Sequence, residues 1–250
     1  MKSKKILLTI CSTIMLCSLP MGVFASNCSN NTKHLPKLIS KEKVLNTSGK
    51  ECTIKKYDDN GKILISSEDE IAPQTLNKIL GVEKQNINKK NLTRMSRSKS
   101  KRYSRTFIFE GRSKQNSNAN CNNTIDYIAT SYPRYVRLAV GGGTNVGNWT
   151  DGWNKCNGIV LHESFTISSA GISISLPPGL SISKNKHEST WTSGKVNGPY
   201  LATTHQRVGA SVMNQNLLRI SVNDQADFYV GSTIYKASAS VSKSYNEIAY

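Results

Sequence analysis

The chain has 250 residues, 37% of them hydrophobic and 20% charged, with 17 Gly and 7 Pro. That length can bury a sizeable core, and the composition excludes a polytopic helical membrane protein and a collagen-like fibre. Lys and Arg number 33 against 16 Asp and Glu, a formal net charge of +17, which favours an acidic partner or an anionic surface over a cationic one.

The first 25 residues read as an export signal. Lys2, Lys4 and Lys5 precede an apolar run over residues 6–19, and Val23-Phe24-Ala25 ends on a small residue. This order of features defines a secretory signal peptide. The apolar run is shorter than the roughly 20 residues of a membrane-spanning helix. Cleavage is expected after Ala25, giving a secreted, extracellular chain. The excess of Lys over Arg, with many Asn, suits an AT-rich bacterial genome.

Four cysteines follow the signal: Cys28, Cys52, Cys121 and Cys156. An even number in an exported chain permits two disulfides. Their grouping along the sequence favours Cys28–Cys52 and Cys121–Cys156, each adding about 3–4 kcal/mol in the chain-entropy picture. No Cys-x-x-Cys occurs, and His34, His162, His187 and His205 lie far from the cysteines in sequence. No metal site and no cofactor are expected.

Residues 26–83 read as a small α+β region, or a propeptide. Cys52 to Tyr57 and Lys62 to Ile65 alternate as strands around Asp58-Asp59-Asn60-Gly61, where Asn-Gly supplies a tight hairpin turn. Pro73 opens a short helix with Leu76, Ile79 and Leu80 on one face and Gly81 at its end. Residues 84–105 carry Lys84, Lys89, Lys90, Arg94, Arg97, Lys99, Lys101, Arg102 and Arg105 and no acidic residue. With few apolar side chains to bury, this stretch reads as a basic flexible linker, and as an electrostatic tether to an anionic polymer or lipid surface.

Residues 106–250 alternate apolar and polar residues repeatedly, with turn signals at Pro177-Pro178-Gly179, Gly198-Pro199 and Asn223-Asp224. About ten short strands with one apolar and one Ser/Thr-rich face predict an antiparallel β-sandwich or barrel. The run Gly141-Gly142-Gly143 lacks the Lys-Ser/Thr of a phosphate loop and reads as a flexible loop.

Catalytic motifs are mostly missing. His162-Glu163-Ser164-Phe165-Thr166 ends in Thr and fails the zinc-hydrolase pattern. No Gly-x-Ser-x-Gly elbow occurs. A triad of His162 or His205 with Asp126 or Asp151 is easy to draw by chance when the chain holds 32 Ser. Glu163 and Glu188 are the nearest approach to a glycosidase carboxylate pair, without spacing that singles them out.

The most site-like segment is Asn148-Trp149-Thr150-Asp151-Gly152-Trp153-Asn154-Lys155-Cys156. Two Trp around an Asp-Gly turn offer flat faces for sugar rings or a lipid interface. Asn148, Asp151 and Asn154 add hydrogen bonds, and Tyr132 and Tyr135 are candidates to extend the surface. The competing reading makes one Trp a plug for the end of the sandwich. Residues 166–184 also resemble loosely the alternating hairpins of pore-forming toxins.

The leading expectation is a non-enzymatic secreted binding protein for anionic cell-wall polymer, glycan or membrane surface. The alternatives are a membrane-active, bacteriocin-like toxin and an extracellular hydrolase. Nucleic acid is not expected as the normal ligand of an exported chain.

Overall fold

A computed structural model describes residues 35–82, 100–168, 172–175, 188–213 and 218–250. The signal peptide, Cys28 and the linker residues Lys89, Lys90, Arg94, Arg97 and Lys99 lie outside these. The protein is mostly β. Among the described residues, thirteen strands and two short helices run in the order β1 Lys37–Leu45, β2 Glu51–Asp59, β3 Lys62–Ser67, α1 Pro73–Ile79, β4 Lys101–Arg112, β5 Ala119–Ser131, β6 Tyr135–Trp149, β7 Gly158–Ser168, β8 Ile172–Ser175, β9 Glu188–Thr192, β10 Tyr200–Thr204, β11 Val208–Met213, β12 Arg219–Val230, β13 Thr233–Ser244 and α2 Tyr245–Ala249. Among the described residues no helix is long and apolar enough to cross a membrane.

The strands form two antiparallel sheets. One has nine strands, ordered β1-β2-β3-β10-β6-β11-β8 with β5 and then β4 attached through β6. The other has four, ordered β13-β12-β7-β9. The alternation of side chains along each strand turns one apolar row inward. Ile125, Tyr127 and Leu138 of the larger sheet share a buried core with Phe165, Val222 and Phe228 of the smaller, a sandwich-like arrangement.

The first three strands extend the larger sheet. β3 pairs with β10, so residues 37–67 share that sheet with the strands that follow them. The predicted hairpin is present, with Asn60 and Gly61 both at positive φ. Helix α1 also forms where Pro73 and Leu76 predict it, and Gly81 follows it at φ +65°. Leu76 closes a second, smaller core with Ile54, Ile65, Val146 and Tyr200. Leu64 and Leu201 belong to the main core while Ile65, Tyr200 and Ala202 belong to the second. By strand alternation this part of the sheet is therefore covered on both faces.

Two other expectations are changed. Lys101, Arg102 and Arg105 begin a strand paired with β5 along its whole length, from Lys101 opposite Ser131 to Arg112 opposite Asn120. Alternating Tyr103, Phe107 and Phe109 supply the inward row that a linker would lack. Gly141-Gly142-Gly143 lies inside β6, where Asp126 pairs with Gly142 and Tyr127 with Val140. Gly141 is the extra residue of a β-bulge, which bends a strand without ending it.

The predicted Ser/Ile hairpin divides between the sheets. Residues 166–168 end β7, paired with β12, whereas β8 pairs with β11. The returning segment, residues 180–184, lies outside the described residues.

Candidate functional site

The Trp-containing segment follows the end of β6. Asp151 shapes it. Its carboxylate accepts the backbone N–H of Trp153 at 2.8 Å and the side-chain amide of Asn154 at 2.7 Å. This is the turn an Asp-Gly pair favours. Those hydrogen bonds, Asn154 foremost, hold the Asp151 carboxyl below its ordinary range. The two Trp then part company. Trp149 is 5% exposed, donates its ring N–H to the carbonyl of Asn154 at 2.7 Å, and stacks on Tyr235 with centroids 5.6 Å apart. It is the plug at the sandwich end. Trp153 is 97% exposed.

Trp153 stands between two clefts. One, of about 500 Å³, is lined by Lys55, Glu68, Lys155 and Asn197 together with Asp151 and Trp153. The other, of about 420 Å³, runs past Asn116, Asn154, Lys155 and Thr233. A flat aromatic face beside amides, ammonium groups and the Glu68 and Asp151 carboxylates can stack on a sugar ring. Tyr132 and Tyr135 do not join it. They stack on each other at 4.3 Å, at the turn joining β5 to β6. The Trp149 end of the same strand pair is opposite Ala119, about twelve residues away, or roughly 40 Å at strand rise.

The cysteines make no disulfide among the described residues. Cys52, Cys121 and Cys156 are buried thiols. The expected Cys121–Cys156 link is absent, and each thiol meets a different polar partner. Cys121 lies on β5 and interacts with the Asn123 side-chain amide at 3.2 Å. Cys156 precedes β7 of the other sheet and donates to the carbonyl of Gly158 at 3.3 Å. Cys52 accepts the hydroxyl of Ser67 at 3.7 Å.

A third cavity, about 300 Å³, lies where β6 bulges. Arg102, Arg207, Ser104 and Thr106 line it beside Gly141 and Gly142. Thr106 donates its hydroxyl to Asp126 at 2.5 Å. His205 borders the same cavity and opens onto a feature that sequence reading missed.

That feature is a polar layer inside the core. Glu163 on β7 and Asp224 on β12 are directly opposite in register. Like charges so placed repel, and burial raises the cost. Lys62 and His205 answer them. The Lys62 ammonium lies 2.5 Å from Glu163 Oε2 and 3.5 Å from the centre of the Trp191 ring. The His205 imidazole lies 2.7 Å from Asp224 Oδ2, which also accepts the Asn123 amide at 2.8 Å. The second Glu163 oxygen accepts the backbone N–H of Gln206 at 3.0 Å. Burial pushes the Asp224 carboxyl upward, against the opposing pull of His205. Burial alone would push the His205 imidazole down, but Asp224, by charge and by hydrogen bond, leaves it raised.

The sequence signal for this layer was a broken alternation. Glu163 interrupts the inward row Leu161, Phe165, Ile167, and Asp224 interrupts Ile220, Val222, Ala226, Phe228. A carboxylate at an inward strand position requires a partner.

No family model matches the chain, and no curated protein is found to be similar to it.

Proposed function

We propose that this is a secreted, non-enzymatic binding protein that attaches to anionic cell-envelope or extracellular glycan polymer through the Trp153 loop. The observation that carries this reading is Trp153 itself, 97% exposed on a turn fixed by Asp151. Leaving a large aromatic surface in water costs free energy, and a pre-ordered platform loses little entropy on binding. Lys55 and Lys155 border the larger cleft beside Glu68 and Asp151, and their ammonium groups can meet phosphate or carboxylate groups along such a polymer. The basic stretch over residues 84–105 adds charge to the same attraction.

The experiment is retention of the mature chain on anionic cell-wall polymer and on the same polymer stripped of its acidic groups. Retention on the charged form is expected at about 0.1 M salt, with release by roughly 0.5 M, because the Debye length falls well below 10 Å. Failure of the charged polymer to retain the chain at low salt overturns the proposal.

A further inference from the structure

Lys62 and Glu163 are separated by 101 residues in sequence and belong to different sheets, yet their side chains meet at 2.5 Å in the core. Lys62 is 8% exposed and Glu163 is buried. The Trp191 ring lies against the Lys62 ammonium. Amines and carboxylic acids do not condense in water, where hydration keeps both charged and water opposes the product. In a buried site with the atoms already in contact, fixed proximity supplies much of the barrier lowering.

The remaining groups are those such a condensation needs. The N–H of Gln206 donates to Glu163 Oε1, the oxygen that gains negative charge when the carboxyl carbon is attacked. Glu163, His205 and Asp224 each bring an oxygen or nitrogen within 4.8 Å of the others. The His205–Asp224 pair thus lies beside the carboxyl that would react. A metal ion is the competing occupant of these three side chains. Lys62 already supplies the positive charge on Glu163 Oε2, and Gln206 holds Oε1.

We infer that Lys62 and Glu163 are the two ends of an intramolecular amide cross-link that joins β3 of the larger sheet to β7 of the smaller. One proton passes from the Lys62 ammonium to the Glu163 carboxylate, leaving a free amine and a carboxylic acid. The Nζ lone pair then attacks Cδ of Glu163, with Oε1 taking up the charge against the Gln206 N–H. The C–Oε2 bond then breaks as the charge on Oε1 returns to re-form the carbonyl. The proton lost from Nζ passes to the leaving Oε2 hydroxyl, which lies against it, and one water departs. No oxidant, reductant or other reactant enters. The link would close a loop of 101 residues between sheets, a role that disulfides fill in many exported domains.

The test is the intact mass of the full exported chain, reduced and denatured, against the mass calculated from its own N-terminus. The expected value is 18 Da below that calculated mass. Proteolysis should yield a branched peptide joining the segment with Lys62 to the segment with Glu163. A Lys62→Arg chain should return the full calculated mass, a reading that does not require the variant to fold. A wild-type chain of full calculated mass overturns the inference. So does an 18 Da deficit that maps to any other pair or that persists in Lys62→Arg.

Discussion

Cys121 shows how surroundings decide what a residue does. Burial is the largest influence on its thiol, and the nearby Asp224 charge adds to it, pushing the thiol up to about 12. A thiol needs its thiolate form to react. In the native protein near neutral pH, Cys121 should therefore resist iodoacetamide. After denaturation without reductant, Cys52, Cys121 and Cys156 should all be alkylated, as read by peptide mass. Native labelling of Cys121, or a disulfide at any of the three, contradicts this placement. The even cysteine count pointed toward disulfides, but spacing in sequence carries no information on which sheet a thiol enters. The same holds for His205 and Asp224, whose pairing depends on two sheets meeting. Both groups are raised, so the folded state holds their protons more tightly than the unfolded chain does. Their contribution to stability is complete below the unfolded values and is lost as pH rises, for His205 from about 6.5 upward. The denaturation midpoint should be higher at about pH 5.5 than at about pH 8.5. A midpoint that rises over that interval speaks against the pair.

Strand β6 links the bulge to the polar layer. β10 and β11 both pair with it, and residues 205–207 between them pass the point where Gly141 to Gly143 sit. The N–H of His205 donates to the Gly143 carbonyl at 3.1 Å. Gly143 has φ +110°, and a Cβ there would lie 2.2 Å from the carbonyl oxygen of Thr124. Gly143→Ala should cost about 2–4 kcal/mol through backbone strain and displacement of β5, measured by denaturant unfolding. A loss below about 0.5 kcal/mol would mean that the bulge is not fixed as described. The alternation of residues made most strands legible, and the Asn60-Gly61 turn was readable because those residues alone explain its positive φ. Gly141-Gly142-Gly143 was misread because a glycine run marks a loop or a bulge equally well. Only the partners on β5 and β10 distinguish them.

Across the described residues, two antiparallel sheets share a main apolar core that holds the Glu163–Asp224 layer, and the Trp153 loop leaves its ring in solvent. The loop stood out in the sequence because two Trp flank an Asp-Gly turn. Which Trp faces solvent was not, since that depends on Tyr235 and Phe228 filling the space around Trp149. The measurement that bears most directly on the proposed function pairs the two Trp, reading affinity for anionic cell-wall polymer and unfolding free energy on the same samples. Trp149→Ala should lose about 3–5 kcal/mol of stability, as a truncated buried aromatic does. Trp153→Ala should keep its stability within about 0.5 kcal/mol and bind at least roughly tenfold more weakly, a loss of about 1.4 kcal/mol. A stable Trp153→Ala protein that binds the polymer as tightly as the wild type would contradict the assignment of this loop as the binding face.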